Sequence, residues 1–254
     1  MKKEIEKEKA SAYAEGTLSV LTVLLQNSRA VETVFYDKAK KLSNDRKAER
    51  IALICQKRNI PFERCDSEFI EENTTSSTHG GMIALVGERE TVSLEALFEK
   101  KNGFLFLFDG VEDPYNFAYS VRSMYAAGAD GMVLSPRNWM SAAGVCIRGS
   151  AGTTEMLDCA VYSDKEELIS LAKRSGYRII CADESTETLH TDPVLTKPLL
   201  LIVGGERRGI SKEFLDASDE IVKIDYARDF KMSLTASAAA SILAFEVAKQ
   251  NKKG

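Results

Sequence analysis

The sequence predicts an α/β protein whose C-terminal part holds a mainly parallel sheet and whose N-terminal part is a smaller α/β region. Two observations support this fold class. From residue 103 onwards, short continuous apolar runs alternate with segments of helical periodicity, which is typical of parallel strands covered on both faces by helices. Before residue 90, amphipathic helices alternate with short strands rich in β-branched and aromatic residues.

The N-terminal elements follow from side-chain periodicity and from turn-forming residues. Apolar residues recur at helical spacing in two stretches, and β-branched or aromatic residues form two short runs. The polar run NTTSSTHGG contains several turn formers and indicates a loop. The predicted elements are a helix at 14–26, a strand at 33–36, a helix at 45–58, the loop at 73–81 and a strand at 82–86.

The C-terminal elements alternate between strand and helix. The predicted strands are at 104–108, 131–134, 177–182, 199–203 and 220–224. The predicted helices are at 115–127, at 165–175 and from 233 to about 250. Ligands of parallel sheets bind beyond the carboxyl ends of the strands. The loops 109–116, 204–211 and 225–234 are therefore the places where we expect a site.

A short charged helix at 94–101, closed by Asn102-Gly103, is typical of a junction between domains. We therefore expect a first domain over residues 1–90, a linker over 91–102 and a second domain over 103–254. A chain of 254 residues is long enough for two such domains.

Composition limits the classes of function. The chain has 34 Lys and Arg against 38 Asp and Glu, so its net charge of −4 argues against a purely electrostatic nucleic-acid binder and requires local basic patches if nucleic acid binds. The five cysteines are scattered and form no Cys-x-x-Cys pair, which predicts no structural metal. The N-terminus lacks an apolar signal region, and no apolar run approaches spanning length, so we expect a cytoplasmic protein that does not bind membranes.

The first of the three loops leads from the strand 104–108 into the helix 115–127. Asp113-Pro114 is typical of a helix start and places Asn116 in the first turn. Arg122 follows six residues later within an apolar stretch, where a guanidinium needs an anionic partner. Two interpretations of Arg122 stay open at this point, a structural ion pair with a carboxylate and a functional cation.

The second loop runs from Gly204 to Gly209 after a buried strand. The spacing of its outer glycines matches a P-loop, but Ile210 stands where that motif requires lysine. A dinucleotide fingerprint requires glycine where Glu206 stands, which disfavours a nicotinamide enzyme. What remains is a glycine turn whose bare backbone can approach a flat ligand, although an ordinary strand-to-helix turn has a similar sequence.

The third loop, IDYARDFKMSLTASAAA, leads from a strand end into an alanine-rich helix. Either Ser233 or Thr235 can cap that helix or orient a ligand. The small residues of the helix allow close packing, either in the core or against another subunit.

Together and in this order, the three loops resemble the three motifs of the SpoU (TrmH-type) family of RNA ribose 2′-O-methyltransferases, in the SPOUT superfamily. The matching residues are Asp113-Pro114-Tyr115-Asn116 with Arg122 for motif one, Gly204-Gly205-Glu206 through Gly209-Ile210-Ser211 for motif two, and Ile224 with Ser233-Leu234-Thr235-Ala236-Ser237 for motif three. Residues 148–152 resemble the family's Ser-Ala-Gly stretch. Upstream, Ala14-Glu15-Gly16, VETVFYD and THGGMIALV resemble the family's N-terminal substrate-binding domain, which is similar to ribosomal protein L30e.

The resemblance implies a trefoil-knotted SPOUT domain preceded by an L30e-like domain, with S-adenosyl-L-methionine as cofactor. It also implies a homodimer that methylates RNA, with ribosomal RNA favoured over transfer RNA. The residues that it makes catalytic are Arg122, Asn116, Glu206, Ser233 and Thr235.

Two further sets of residues follow from the same resemblance. The cofactor would be bound by Val203, Gly204, Gly205, Gly209, Ile224, Ser233 and Leu234. Contacts with RNA phosphates are expected from Arg148, Arg207, Arg208, Arg228 and Lys231, each of which could equally be a solvated surface charge.

The sequence departs from the family motifs at two positions. Ala118 stands where glycine is usual, which is a mild change, and Thr235 stands where motif three carries asparagine. Threonine keeps one hydroxyl but loses the paired donor and acceptor of the amide. The alternative function is therefore a catalytically weak or inactive relative that binds RNA as an assembly or regulatory factor.

Overall fold

The structure is a computed structural model that describes residues 12–75, 77–137, 140–229 and 232–252. The chain divides into two compact units, which we call the N-terminal unit and the C-terminal unit. The N-terminal unit holds the described residues within 1–90 and 138–156, and the C-terminal unit holds those within 91–137 and 157–254. Residues 140–156, which the sequence groups with the second domain, thus belong by their contacts to the first unit.

Strands and helices alternate along most of the described chain. The strands are β1 (Ala12–Glu15), β2 (Arg29–Asp37), β3 (Phe62–Cys65), β4 (Met82–Arg89), β5 (Phe104–Asp109), β6 (Gly131–Leu134), β7 (Asp158–Val161), β8 (Arg178–Ala182), β9 (Leu199–Gly204) and β10 (Glu220–Val222). The α-helices are α1 (Thr17–Gln26), α2 (Arg46–Arg58), α3 (Ser67–Glu72), α4 (Leu94–Phe98), α5 (Pro114–Ala126), α6 (Ala143–Gly149), α7 (Thr153–Met156), α8 (Lys165–Arg174), α9 (Lys212–Ala217) and α10 (Ala236–Gln250).

The N-terminal unit contains a four-stranded sheet with the strand order β1-β4-β2-β3. Strand β4 is antiparallel to both of its neighbours, whereas β2 and β3 are parallel. Apolar residues of α1, α2 and the sheet form one buried cluster, to which Ile147 of α6 also contributes. The small α/β domain predicted from the sequence is confirmed in its class.

The first predicted helix begins three residues later than expected. Ala14 and Glu15 pair with Ala84 and Ile83 of β4, so they belong to a strand. Gly16 then adopts a φ of 91°, a backbone conformation that favours glycine, and turns the chain into α1. Helical spacing of apolar residues could not reveal this strand, because four residues are too few to establish a different period.

Two buried charge networks hold residues of the range 140–156 in the N-terminal unit. The carboxylate of Glu155 is fully buried and lies 3.0 Å from Nε of Arg29, while Ser28 Oγ donates a 2.6 Å hydrogen bond to it. Arg148 Nη1 lies 2.8 Å from Oε2 of the buried Glu15. Because an unpaired buried carboxylate is costly, these pairs fix the segment to the strands of this unit.

The C-terminal unit contains a six-stranded sheet with the order β10-β8-β9-β5-β6-β7. Every neighbouring pair of strands in it is parallel, so the predicted parallel sheet is confirmed. Leu105 and Leu107 of β5 belong to a core cluster with residues of α8 and α9. On the other face, the ring of Phe108 lies 5.9 Å from that of Phe117 in α5. Helices therefore cover both faces, as the continuous apolar strands indicate.

The central pair of strands, β5 and β9, brings the ends of two chemistry-bearing loops together. Asp109 pairs with Gly204 at the carboxyl ends of these strands. Strand β10 ends at Val222, two residues before the predicted end, and α10 begins at Ala236 rather than at residue 233. The longer third loop that results lies at the same edge of the sheet. Within the described residues, no helix is long and apolar enough to cross a membrane.

Candidate active site

The second loop closes tightly against the end of β5. The amide of Gly205 donates a 2.8 Å hydrogen bond to the carbonyl oxygen of Asp109, and the amide of Ser211 donates a 2.7 Å bond to the Asp109 carboxylate. A Cβ atom on Gly204 would lie 2.6 Å from the carbonyl carbon of Gly209. Glycine is thus required at position 204 because the backbone of Gly209 lies so close to it. The sequence had indicated only that a ligand could approach this turn.

One carboxylate joins the first, second and third loops. Asp113 caps α5 by accepting a 2.7 Å hydrogen bond from the amide of Asn116. The side-chain amide of Asn116 donates a 2.8 Å bond to Oε1 of Glu206, and the amide of Ala236 donates a 3.1 Å bond to the same oxygen. Ser237 Oγ donates a 3.2 Å bond to Asn116 Oδ1. The arrangement fixes the starts of α5 and α10 beside the glycine turn.

Thr235 is the N-cap residue of α10. Its backbone is extended, and its hydroxyl accepts a 3.3 Å hydrogen bond from the amide of Ala238. It also lies 3.1 Å from the hydroxyl of Ser237. Threonine is a good N-cap residue, so the departure from asparagine leaves the capping of this helix intact.

A cavity in the C-terminal unit lies beyond the carboxyl ends of β8, β9 and β10. Its walls are formed by the glycine turn, by the residues after β10 and by the approach to α10. All residues that the sequence assigned to the cofactor line this cavity, namely Val203, Gly204, Gly205, Gly209, Ile224, Ser233 and Leu234. Their assembly at one place is an observation, and their contact with a cofactor stays a prediction.

The cavity is also lined by charged residues that the sequence reasoning missed. Asp183 and Glu184 follow β8, and Lys223 follows β10. Lys223 Nζ lies 2.8 Å from Oε2 of Glu187, and this hydrogen-bonded cation lowers the pKa of the Glu187 carboxyl. The signal that could have found Asp183 and Glu184 is their position at a strand end, because every such loop borders the ligand edge of a parallel sheet.

Arg122 is exposed on α5, so the apolar surroundings inferred from its neighbours in sequence do not bury it. Within the described residues, its guanidinium makes no hydrogen bond or ion pair. Asn116 and Glu206 bond to each other and to the start of α10, and not to Arg122. The structural ion pair considered for Arg122 is therefore not formed in this part of the chain.

The predicted RNA contacts lie in different surroundings. Arg207, Arg208 and Arg228 are exposed near the glycine turn and the third loop. Arg148 belongs to the N-terminal unit, where it forms the ion pair with Glu15. The remaining residue of this set, Lys231, lies outside the described residues.

The fold and the cavity define a protein that binds a small ligand at the carboxyl edge of a parallel α/β sheet. Comparison with known families makes the class specific. The chain belongs to the SpoU rRNA methylase family, because the model of that family matches residues 103–245, more than half of the chain. A second model, described as RNA 2′-O ribose methyltransferase substrate binding, matches residues 13–92.

Individual relatives cover most of the chain. A 23S rRNA (guanosine-2′-O-)-methyltransferase, RlmB, from Burkholderia sp is 28% identical over 227 residues, which are 88% of this chain and 90% of that protein. An uncharacterized tRNA/rRNA methyltransferase of Borreliella burgdorferi is 24% identical over 215 residues, 80% of this chain and 94% of its own. The structure of an AdoMet-bound rRNA methyltransferase from Sinorhizobium meliloti shares the fold, with a TM-score of 0.80, 19% identity, and coverage of 96% and 89% of the two chains.

Proposed function

We propose that this protein transfers a methyl group from S-adenosylmethionine to the 2′-hydroxyl of a ribose in RNA, and that its substrate is ribosomal RNA. The observation that carries the proposal is the hydrogen-bonded junction of Asn116, Glu206 and Ala236 at the rim of the cavity. These residues stand at the positions of the three motifs of the family. The RNA class is supported by the relative from Burkholderia, whose name specifies 23S rRNA.

The residues of the cavity fit S-adenosylmethionine chemically. Apolar side chains, including Val203, Ile224 and Leu234, provide surfaces for a flat base, and the carboxylates of Asp183 and Glu184 complement positive charge. When bound, the cofactor supplies a methyl group activated by its sulfonium. Because that leaving group is already good, the protein chiefly has to position the ribose hydroxyl and assist the loss of its proton.

Arg122 takes the role of the cation that meets the RNA. A guanidinium is always protonated and cannot serve as a base, so it acts by holding the phosphate next to the acceptor ribose and by stabilising the developing alkoxide. Its exposure, and the absence of a partner among the described residues, leave it available for an anion. Ser233 and Thr235 order the turn before α10, and Asn116 with Glu206 fixes that turn to α5.

The exposed face of α5 and α10 supports a homodimer. The two helices pack against each other, and Ser123 Oγ lies 2.7 Å from Ser241 Oγ. Large apolar side chains nevertheless remain on their surface, since Tyr119 is 47% exposed and Phe245 is 55% exposed. Arg122 lies three residues after Tyr119 and therefore on the same face of α5. A second copy that covers this face would bring its own residues to the acceptor site, and Phe245→Asp would then yield monomers in sedimentation.

The alternative, an RNA-binding relative without activity, rests on Thr235. Because Thr235 caps α10, threonine in place of the family's asparagine leaves this helix capped. We therefore favour the enzyme. Activity restored only by Thr235→Asn would favour the alternative.

The experiment that tests the function supplies methyl-labelled S-adenosylmethionine to the full chain with two separate substrates, ribosomal RNA and transfer RNA. We expect label in ribosomal RNA only, and no label with Arg122→Ala. Label in transfer RNA alone would contradict the RNA class, while binding of the cofactor and of RNA without any transfer would favour the inactive relative.

A further inference from the structure

The charged residues that line the cofactor cavity are predominantly acidic, and the arginines of the neighbouring loops do not line it. Asp183, Glu184 and Glu206 line it, and the cationic side chain that lines it among the described residues is Lys223. The charge of Lys223 is offset, because its Nζ lies 2.8 Å from the Glu187 carboxylate. The field inside the cavity is therefore expected to favour a positively charged ligand.

We propose that Asp183 makes the cavity discriminate between the cationic cofactor and its product. This inference rests on the proposed function. S-adenosylmethionine and S-adenosylhomocysteine share their adenosine, ammonium and carboxylate groups. The cofactor alone carries the sulfonium charge, because transfer of the methyl group to oxygen returns the bonding electron pair to sulfur and leaves a neutral thioether. A carboxylate in this cavity thus attracts the cofactor more strongly than the product, because the product has lost one positive charge.

Asp183 is the best placed of the three carboxylates. It follows β8 directly, and its amide donates a 3.0 Å hydrogen bond to the carbonyl oxygen of Val222 in β10. Its Oδ1 accepts a 2.9 Å bond from the amide of Ser185. Backbone contacts on both sides therefore hold the residue in place, while Oδ2 makes no hydrogen bond to any residue in the described ranges.

The other two carboxylates are less suited to this role. Glu206 already accepts hydrogen bonds from Asn116 and Ala236, and its position serves the junction of the loops. Glu184 is exposed, so water screens its charge more strongly. Asp183 is only partly exposed. A fixed and partly shielded carboxylate gives the larger difference between a charged and an uncharged ligand.

The discrimination would assist turnover. Because the product lacks the sulfonium charge, Asp183 holds it less strongly. The product therefore leaves the cavity more readily than the cofactor does. Since the interaction is between charges at a partly open site, the preference for the cofactor falls as the salt concentration rises.

Isothermal titration of the full chain with S-adenosylmethionine and with S-adenosylhomocysteine tests the inference. The variant is Asp183→Asn, because the asparagine oxygen can still accept the bond from the Ser185 amide and the turn is retained. We expect the Kd of the cofactor to rise about fivefold while that of the product changes less than about twofold. The matched control is Glu166→Gln, which removes an exposed carboxylate of α8 that does not line the cavity, and both Kd values should stay unchanged.

A second measurement uses the unaltered protein and so does not depend on the folding of the variant. Sinefungin carries a protonated amine in place of the methylated sulfonium, so it keeps a positive charge there. We therefore expect it to follow the cofactor in affinity and in salt dependence. Equal weakening of cofactor and product by Asp183→Asn, or equal salt dependence of sinefungin and product, would overturn the inference while leaving the methyltransferase function intact. A protein that binds neither cofactor nor product would overturn both.

Discussion

Asn116 and Glu206, separated by 90 positions in the chain, are joined by a 2.8 Å hydrogen bond from the asparagine amide to the glutamate carboxylate. The same carboxylate oxygen accepts the amide of Ala236. A single oxygen thus connects the start of α5, the glycine turn after β9 and the start of α10. The cavity beside it is shaped by two of these three segments.

Removing the Glu206 carboxylate should loosen this junction. We expect Glu206→Ala to lower kcat/KM for methylation about tenfold or more, because the hydrogen bonds that the carboxylate accepts from Asn116 and from the amide of Ala236 are lost. Glu206→Gln, which keeps one acceptor oxygen, should be milder. The control is Glu112→Gln, an exposed carboxylate 3.9 Å from Arg207. Equal activity of Glu206→Ala and the control would show that the junction is not needed for catalysis.

Substitution of Arg122 by alanine should abolish methylation of RNA without weakening cofactor binding. We expect Arg122→Ala to abolish methylation while the Kd for S-adenosylmethionine changes less than about twofold, since the guanidinium is exposed and does not line the cavity. Arg122→Lys should retain part of the activity, because it keeps the charge without the planar fork. Full activity of the alanine variant on its RNA would remove Arg122 from the mechanism.

Thr235 should contribute to the stability of α10 through its cap. Thr235→Ala is expected to reduce the free energy of unfolding by about 1 kcal/mol, as measured by urea denaturation. Thr235→Asn should leave stability nearly unchanged, since asparagine caps equally well, and should change turnover little. A stability loss in the asparagine variant as large as that in the alanine variant would contradict the capping role.

Glu155 should be essential to the N-terminal unit. Its buried carboxylate pairs with Arg29 at 3.0 Å and with Arg89 at 3.5 Å. We expect Glu155→Gln to lower the free energy of unfolding by about 3 kcal/mol, because two arginines lose their anion. The change is measured by thermal denaturation, and Glu166→Gln, at an exposed position, serves as the control. An unchanged Tm in Glu155→Gln would mean that residues 140–156 are held mainly by other contacts.

The sequence predicts five of the six strands of the C-terminal sheet, because most of them are continuous apolar runs, and it misses β7, whose four residues begin with a charged one. The predicted strand 131–134 coincides with β6, and the predicted strand 104–108 lies within β5. The location of the three loops at one edge of the sheet then follows, because the carboxyl ends of parallel strands lie at the same edge. The passage of the chain through a trefoil knot stays a prediction.

The parts that the sequence reasoning missed are short or depend on distant partners. β3, α7 and α9 have four to six residues each, too few to establish a period. The grouping of residues 140–156 with the N-terminal unit depends on buried ion pairs such as that of Glu155 with Arg29, between residues more than a hundred positions apart. The exposure of Arg122 was missed because neighbours in a helix sequence point in different directions, so an apolar stretch does not bury each of its members.

The residues predicted to bind the cofactor lie around one cavity, and their roles stay predictions. The motif residues identified the cavity walls, yet Asp183 and Glu184 belong to no motif and were found only through their position after β8. Sequence motifs report residues that act together in a family. Charged residues outside the motifs, such as these two, can be assigned to the cavity only once the loops are placed in space.

The proposed function places the methyl group on a ribose 2′-hydroxyl. The most direct measurement is to methylate ribosomal RNA with labelled S-adenosylmethionine, hydrolyse the RNA with alkali and separate the products. A 2′-O-methyl group blocks attack of that oxygen on the neighbouring phosphate, so we expect label in alkali-resistant dinucleotides. Label recovered in mononucleotides would place the methyl group on a base and contradict 2′-O-methylation.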